Sequence, residues 1–152
     1  MLFGKKKGIF APVDGTFVPL AEVNDPVFAQ KMMGDGVAVI PDSDEITSPV
    51  IGTIQTIIEQ KHALGIVMEG GQEVLVHMGI DTVELAGEPF DILVDVGDRV
   101  EIGTPLARMK RQEIEEKGKE TVVLVIAAGE QLSSSKYTTR TTVERGAELA
   151  KV

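Results

Sequence analysis

Cysteine is absent from this chain of 152 residues, and so is tryptophan. Disulfides, thiolate metal sites and cysteine nucleophiles are therefore excluded. Aromatics are scarce, 5 Phe and 1 Tyr, too few for the stacking platforms that hold single-stranded nucleic acid. Positive charge is in the minority: 15 Lys and Arg against 24 Asp and Glu leave a formal net charge of −9. That sign disfavours a nucleic-acid duplex, whose phosphates need clustered Lys and Arg, and suits a partner with a basic patch. No apolar run approaches the roughly 18 residues of a membrane span. The start MLFGKKKG lacks the apolar stretch of a signal peptide. A cytoplasmic location without membrane insertion is expected. Residues 1–7 read as a flexible N-terminal segment and 8–152 as one domain, and this start favours a free-standing protein.

What is present is a chain of short β-prone runs. Glycine (16) and proline (7) punctuate it at close intervals. Between them lie Val-, Ile- and Thr-rich candidate strands at 15–20, 37–40, 50–59, 62–69, 73–78, 91–94, 105–109, 121–127, 137–143 and 147–152. Many short strands with close turns point to an antiparallel sandwich or barrel. RQEIEEKG (111–118) reads as a short helix capped by Gly118, and a turn or two of helix is expected within 24–36. The stretch 129–136 reads as a surface loop. Two echoes suggest internal duplication: APVDGT (11–16) returns as SPVIGT (48–53), and VEIGTPLAR (100–108) as VERGAELAK (143–151).

Histidine occurs only twice, as His62 and His77. Between them Gly70-Gly71 signals a tight hairpin, since a primed turn needs the positive φ that glycine supplies. With those two residues as the loop, His77 falls opposite Leu64 and His62 becomes its diagonal neighbour on the same face. A loop one residue longer would shift the register and part the rings. The bland reading of either histidine is a strand-end cap bonded to a carbonyl. For a facing pair three uses compete: a metal site, an acid–base pair, or a nucleophile with a helper.

A structural zinc needs about four ligands and a catalytic zinc about three, but there is no third histidine, and neither HxH nor HExxH occurs. Asp81 or Asp25 would complete only a set of the kind used by larger iron oxygenases. No metal is expected. The nucleophile fits better: an ordinary imidazole is largely neutral at pH 7 and attacks phosphorus directly, while a second ring stabilises the phosphoryl oxygens. No P-loop or kinase signature is evident, so the phosphoryl donor should be another protein. Val27, Phe28, Met32 and Met33 offer it a docking patch, although core packing of a short helix explains the same residues slightly better.

FAQKMMGDGVAVIP (28–41), SPVIGTI (48–54), the KHALGI around His62 and VLVHMGIDTVELAGEPF (74–90) resemble the glucose-type enzyme IIA. This is the phosphocarrier of the bacterial phosphoenolpyruvate:sugar phosphotransferase system. The resemblance runs from about residue 8 to the end. It implies an all-β fold, a compact antiparallel β-sandwich (a duplicated barrel-sandwich hybrid) with short helical turns. It also implies a phosphotransferase component that takes a phosphoryl group from the histidine-containing phosphocarrier protein, HPr. The group then passes to a cysteine of the sugar-specific enzyme IIB, coupled to its IIC permease, with regulatory contacts to other proteins. By match of motif, His77 would accept the group on Nε2 and His62 would support it. Asp25 and Asp81 would lie at the partner interface, where an arginine of HPr lands, and Val27, Phe28 and Met32 would form the apolar docking surface. Gln60 stands where members often carry a threonine bonded within the site. Ile58 and Met78 stand where phenylalanines rim it. No cofactor is implied beyond the transient phosphohistidine, and the sugar stays open.

The strongest rival is a biotinyl or lipoyl carrier domain. DVGDRVEIGTPLARMK resembles such domains, with Lys110 as the modified residue on a hairpin tip, but the lysine falls after the shared stretch instead of before it. A zinc endopeptidase of related architecture is disfavoured further by the missing HxH and third histidine, and a stoichiometric bound metal would revive it. A purely regulatory module is compatible with the same residues, because a phosphoryl group alters partner preference through charge and desolvation.

Overall fold

The β-prone runs between glycines and prolines do form strands, and every ladder among them is antiparallel. A computed structural model describes residues 7–152. Its strands are β1 (Gly8–Phe10), β2 (Gly15–Val18), β3 (Gly36–Pro41), β4 (Glu45–Thr47), β5 (Gly52–Ile57), β6 (Ala63–Met68) and β7 (Glu73–Ile80). They continue with β8 (Phe90–Ile92), β9 (Arg99–Val100), β10 (Pro105–Met109), β11 (Glu120–Ala127), β12 (Ser134–Ser135), β13 (Thr141–Val143) and β14 (Glu148–Lys151). Helices are short: α1 (Pro26–Ala29) and α2 (Arg111–Glu116), with 3-10 turns at Leu20–Glu22 and Thr82–Leu85. Of the expected flexible segment, residues 1–6 lie outside the described residues, and the carbonyl of Lys7 accepts a bond from Val152 N at 2.9 Å.

The two echoes mark a duplicated β-sandwich. An eight-stranded sheet runs β13-β2-β3-β11-β7-β6-β5-β9, flanked by three-stranded sheets β1-β14-β12 and β4-β10-β8. Read from either end, the order repeats one pattern. Ile9 pairs Ala150 as Ile46 pairs Ala107, with a bulge at the same place in each ladder. Gly15 pairs Val143 as Gly52 pairs Val100. Between the copies, Phe10 N bonds Pro49 O and Thr47 N bonds Pro12 O, each at 2.8 Å. The shared glycine of each echo has a physical cause. A Cβ on Gly15 would lie 1.9 Å from Ile40 O, and one on Gly52 would lie 2.1 Å from Val67 O.

Alternation along β6 and β7 separates two apolar layers. Leu64, Ile66, Met68, Val74, Val76 and Met78 enter the main core between the sheets. On the other face, Val18, Ala38, Ile80, Val122, Leu124 and Ile126 are covered by Leu20, Val23 and Phe28 of the segment 19–35. Burying each large aliphatic side chain stabilises by roughly 1.5–3 kcal/mol.

The histidine hairpin is not in the expected register. Met68 N bonds Gln72 O and Gly71 N bonds Met68 O, so the loop comprises Glu69, Gly70 and Gly71. Only Gly71 has positive φ, at 92°, the pattern of a turn followed by a left-handed residue instead of a primed turn. His77 therefore opposes Ala63, and Leu64 opposes Val76. Lys110 is on no hairpin tip. It precedes α2, its N–H bonded to Pro89 O at 2.9 Å, which removes the carrier-domain placement.

Candidate functional site

Despite the shifted register, the two imidazoles meet. Their centroids are 5.0 Å apart with the rings nearly perpendicular, at 79°. His62 enters β6 from a turn closed by Lys61 N to Ile58 O and by Ile58 N to Ala63 O. Lys61 is left-handed in that turn, with φ 64°, so strand alternation does not yet govern the residue after it. The residue directly opposite His77 is the small Ala63, which leaves room for a neighbouring ring to lean across.

His77 is half-buried near the end of β7. Its Nδ1 lies 2.8 Å from the carbonyl oxygen of Gly79. A carbonyl only accepts, so Nδ1–H donates and the neutral ring keeps its lone pair on Nε2. Gly79 directs that carbonyl back along the strand with φ 84°, a conformation glycine adopts without penalty. Phe28 packs on the ring with centroids 4.9 Å apart. Burial, and then the charge of His62, lower the His77 pKa to about 4, while the Gly79 bond, Asp25 and Asp81 pull in the opposite direction. His62 is 8% exposed, and burial lowers its pKa as well. Both rings are thus neutral at pH 7, and the lone pair on His77 is available.

The other expected residues divide. Asp25 caps α1, its carboxylate accepting from Val27 N at 2.9 Å. Asp81 is exposed and left-handed just after β7. Both act on His77 through charge. Val27, Met32 and Met33 are exposed by 40%, 70% and 43% and form an apolar rim. Phe28 is buried beneath that rim instead of lying in it. Met78 is no interface residue. Next in sequence to His77, it points to the opposite face and is fully buried in the main core. Ile58 is half-buried at the start of the β5–β6 turn. His62 Nδ1 is buried with no hydrogen-bond partner among the described residues, so Gln60, at the threonine position, makes no bond to that nitrogen. Sequence reasoning gave Gly79 and Thr82 no role, although the His-x-Gly spacing was the available signal for the first.

Neutral imidazoles facing one another on a duplicated β-sandwich, one with its tautomer set by the backbone, define a histidine-centred site without a third nitrogen or sulfur donor. A family model described as phosphoenolpyruvate-dependent sugar phosphotransferase system, EIIA 1, matches residues 7–132. The chain belongs to this family. It is 41% identical over 140 residues to a PTS system glucose-specific EIIA component of Staphylococcus aureus (strain COL), covering 88% of this chain and 84% of that protein. A protein of the same description from Staphylococcus epidermidis is 40% identical over the same shares. The solved structure of glucose permease IIA from Mycoplasma capricolum superposes with a TM-score of 0.84 at 32% identity, covering 94% of this chain and 93% of that one.

Proposed function

We propose that this chain is a phosphoryl carrier of the sugar phosphotransferase system, with His77 Nε2 as the acceptor and His62 as its supporting ring. The observation that carries this reading is the commitment of His77 Nδ1 to the Gly79 carbonyl, 2.8 Å away, beside a second ring at 5.0 Å. The phosphohistidine of HPr docks on the rim of Val27, Met32 and Met33, with Asp25 and Asp81 facing its basic groups. The Nε2 lone pair forms the new P–N bond as the donor P–N bond breaks, and that electron pair returns to the donor ring. Positive charge builds on His77 because Nδ1 keeps its proton. The Gly79 carbonyl and the two aspartates favour that charge. His62 bonds the phosphoryl oxygens and steadies the group for attack by the cysteine of enzyme IIB. Relatives with glucose-specific names support a glucose-type IIB/IIC permease as acceptor. No helix among the described residues is long and apolar enough to cross a membrane, in keeping with a carrier working at the cytoplasmic side of that permease.

Incubation with phosphoenolpyruvate, enzyme I and HPr tests the reading. Wild type should acquire acid-labile phosphate. His77→Ala should acquire none. His62→Gln should still label but fail to pass the group to enzyme IIB. Labelling of His77→Ala would overturn the assignment.

A further inference from the structure

The tautomer of His77 depends on the direction of one glycine carbonyl, and glycine does not hold its own direction, since it populates both signs of φ with similar ease. Something else must fix it. Ile80 pairs Glu120 and Met78 pairs Val123, and the register shifts between these two pairs, so Gly79 falls at an irregularity of the β7–β11 ladder. The peptide plane before Gly79 carries the Met78 carbonyl, and there Thr82 Oγ1 donates at 2.5 Å. Thr82 is fully buried, although it opens the 3-10 turn after a strand end. Its methyl closes on the glycine itself: a Cβ on Gly79 would fall 2.4 Å from Thr82 Cγ2, with Glu120 O at 2.8 Å. Gly79 is thus gripped between a threonine side chain and the backbone of β11.

The geometry points to Thr82 as a positioning residue for phosphoryl transfer: through Met78 and Gly79 it keeps the carbonyl aimed at His77 Nδ1, and so keeps Nε2 as the nucleophilic nitrogen. The proposal rests on the reading of His77 as acceptor. Thr82 bonds neither ring, so its effect is transmitted through the backbone alone. Released from the grip, the carbonyl swings, and the neutral ring shares its proton between Nδ1 and Nε2.

The test compares Thr82→Val, which keeps the shape and loses the hydroxyl, with Thr82→Ser, which keeps the hydroxyl. Nitrogen NMR of the full chain with labelled histidine at pH 7.5 reads the His77 tautomer directly, and the relay assay reads the rate. Thr82→Val should show a share of Nε2-protonated ring and take up phosphate roughly 10-fold more slowly, the low end of what losing an outer partner of a functional histidine costs at metal sites. Thr82→Ser should keep the wild-type ring signals and a rate within about twofold, since the hydroxyl bond remains. If the valine variant does not fold, Thr82→Cys, similar in size and a far weaker donor, takes its place with the same expected shift. Wild-type ring signals in the hydroxyl-free variant, or a serine variant that shifts equally, would overturn the proposal. The NMR readout needs no partner protein. A locked tautomer in wild-type protein that takes no phosphate would therefore break the carrier reading alone.

Discussion

Two strand ends in the middle of the eight-stranded sheet are built to one plan, and only one of them carries facing histidines. Met78 N bonds His62 O at 2.8 Å, and at the matching place in the other copy Ala127 N bonds Asp35 O at 2.8 Å. By that correspondence Asp35 stands where His62 stands, Ile126 where His77 stands, and Ala128 where Gly79 stands. The Asp35 carboxylate serves local structure, accepting from Gly36 N at 2.8 Å and meeting Lys31 at 3.4 Å. Ile126 is buried. The copies also differ in how consecutive strands are joined: β2 and β3 by the long segment 19–35, β5 and β6 by the short turn 58–62. The long segment lays Phe28 against His77 of the other copy. Duplication thus supplies the common frame. The site arises where an insertion from one half meets a modified strand end in the other.

Removing the insertion's contribution should have the largest effect. Phe28→Ala empties a buried position in the second layer and uncovers one side of His77. Stability should fall by about 3–5 kcal/mol, read from urea midpoints, and the His77 pKa should rise from about 4 toward its ordinary value, read by NMR titration. A variant that loses stability with the His77 titration unmoved would mean that the aromatic ring contributes nothing to desolvating the site.

Restoring the duplicated residue comes next. His77→Ile places on β7 what β11 carries at 126, and should abolish labelling. It should also change the acid limb of stability. The folded ring takes its proton at about pH 4 and the unfolded one at 6.5. Stability from the neutral buried ring is therefore complete above pH 6.5 and is lost as pH falls toward 4. The loss amounts to about 3 kcal/mol by the lower pH. His77→Ile should flatten that limb by the same amount, measured as urea midpoints at pH 7.5, 5.5 and 4. Parallel curves for the two proteins would show that the acid sensitivity lies elsewhere.

The frame was more legible in the sequence than the site, for physical reasons. Glycine and proline bound each strand, and the echoes at 11–16 and 48–53 report a close approach of backbones that only glycine permits. Strands as short as 8–10, 45–47, 99–100 and 134–135 escape detection because alternation needs several residues to be seen. Register was misread because two adjacent glycines do not announce which of them adopts positive φ. The meeting of the rings survived that error only because the turn at Lys61 exempts His62 from alternation. Met78 was readable. Its place next to His77 on a strand already assigned it to the core face, and the family resemblance drew it wrongly to the rim. Gly79 was signalled only by the His-x-Gly spacing and Thr82 by nothing, since both would act through the direction of a carbonyl.

Smaller effects should separate the two strand ends further. Gly79→Ala meets Thr82 and Glu120 at distances no Cβ tolerates, besides holding φ at 84°. It should cost about 2 kcal/mol or more and slow phosphate uptake. Gly129, just past the other strand end, also has positive φ, at 67°, but nothing lies within 4 Å of an added Cβ. Gly129→Ala should cost only the left-handed strain, about 1 kcal/mol, and leave uptake unchanged. Equal losses of uptake in the two variants would erase the distinction between a glycine whose carbonyl meets His77 and one that merely turns the chain.

The least disruptive change tests the docking rim. Met32 is 70% exposed on the insertion, and Ile40 is 38% exposed on β3. Neither holds the core, so Met32→Ser and Ile40→Ser should each leave stability within about 0.5 kcal/mol of wild type. They should differ in the relay. An exposed methionine at the edge of a protein interface contributes up to about 1 kcal/mol, so Met32→Ser should raise the apparent KM for HPr roughly fivefold at unchanged kcat, while Ile40→Ser leaves both alone. Apolar exposure alone would predict the same outcome for both serines. The insertion's position beside His77 is what predicts a difference, and identical kinetics would place the docking surface off the 19–35 segment.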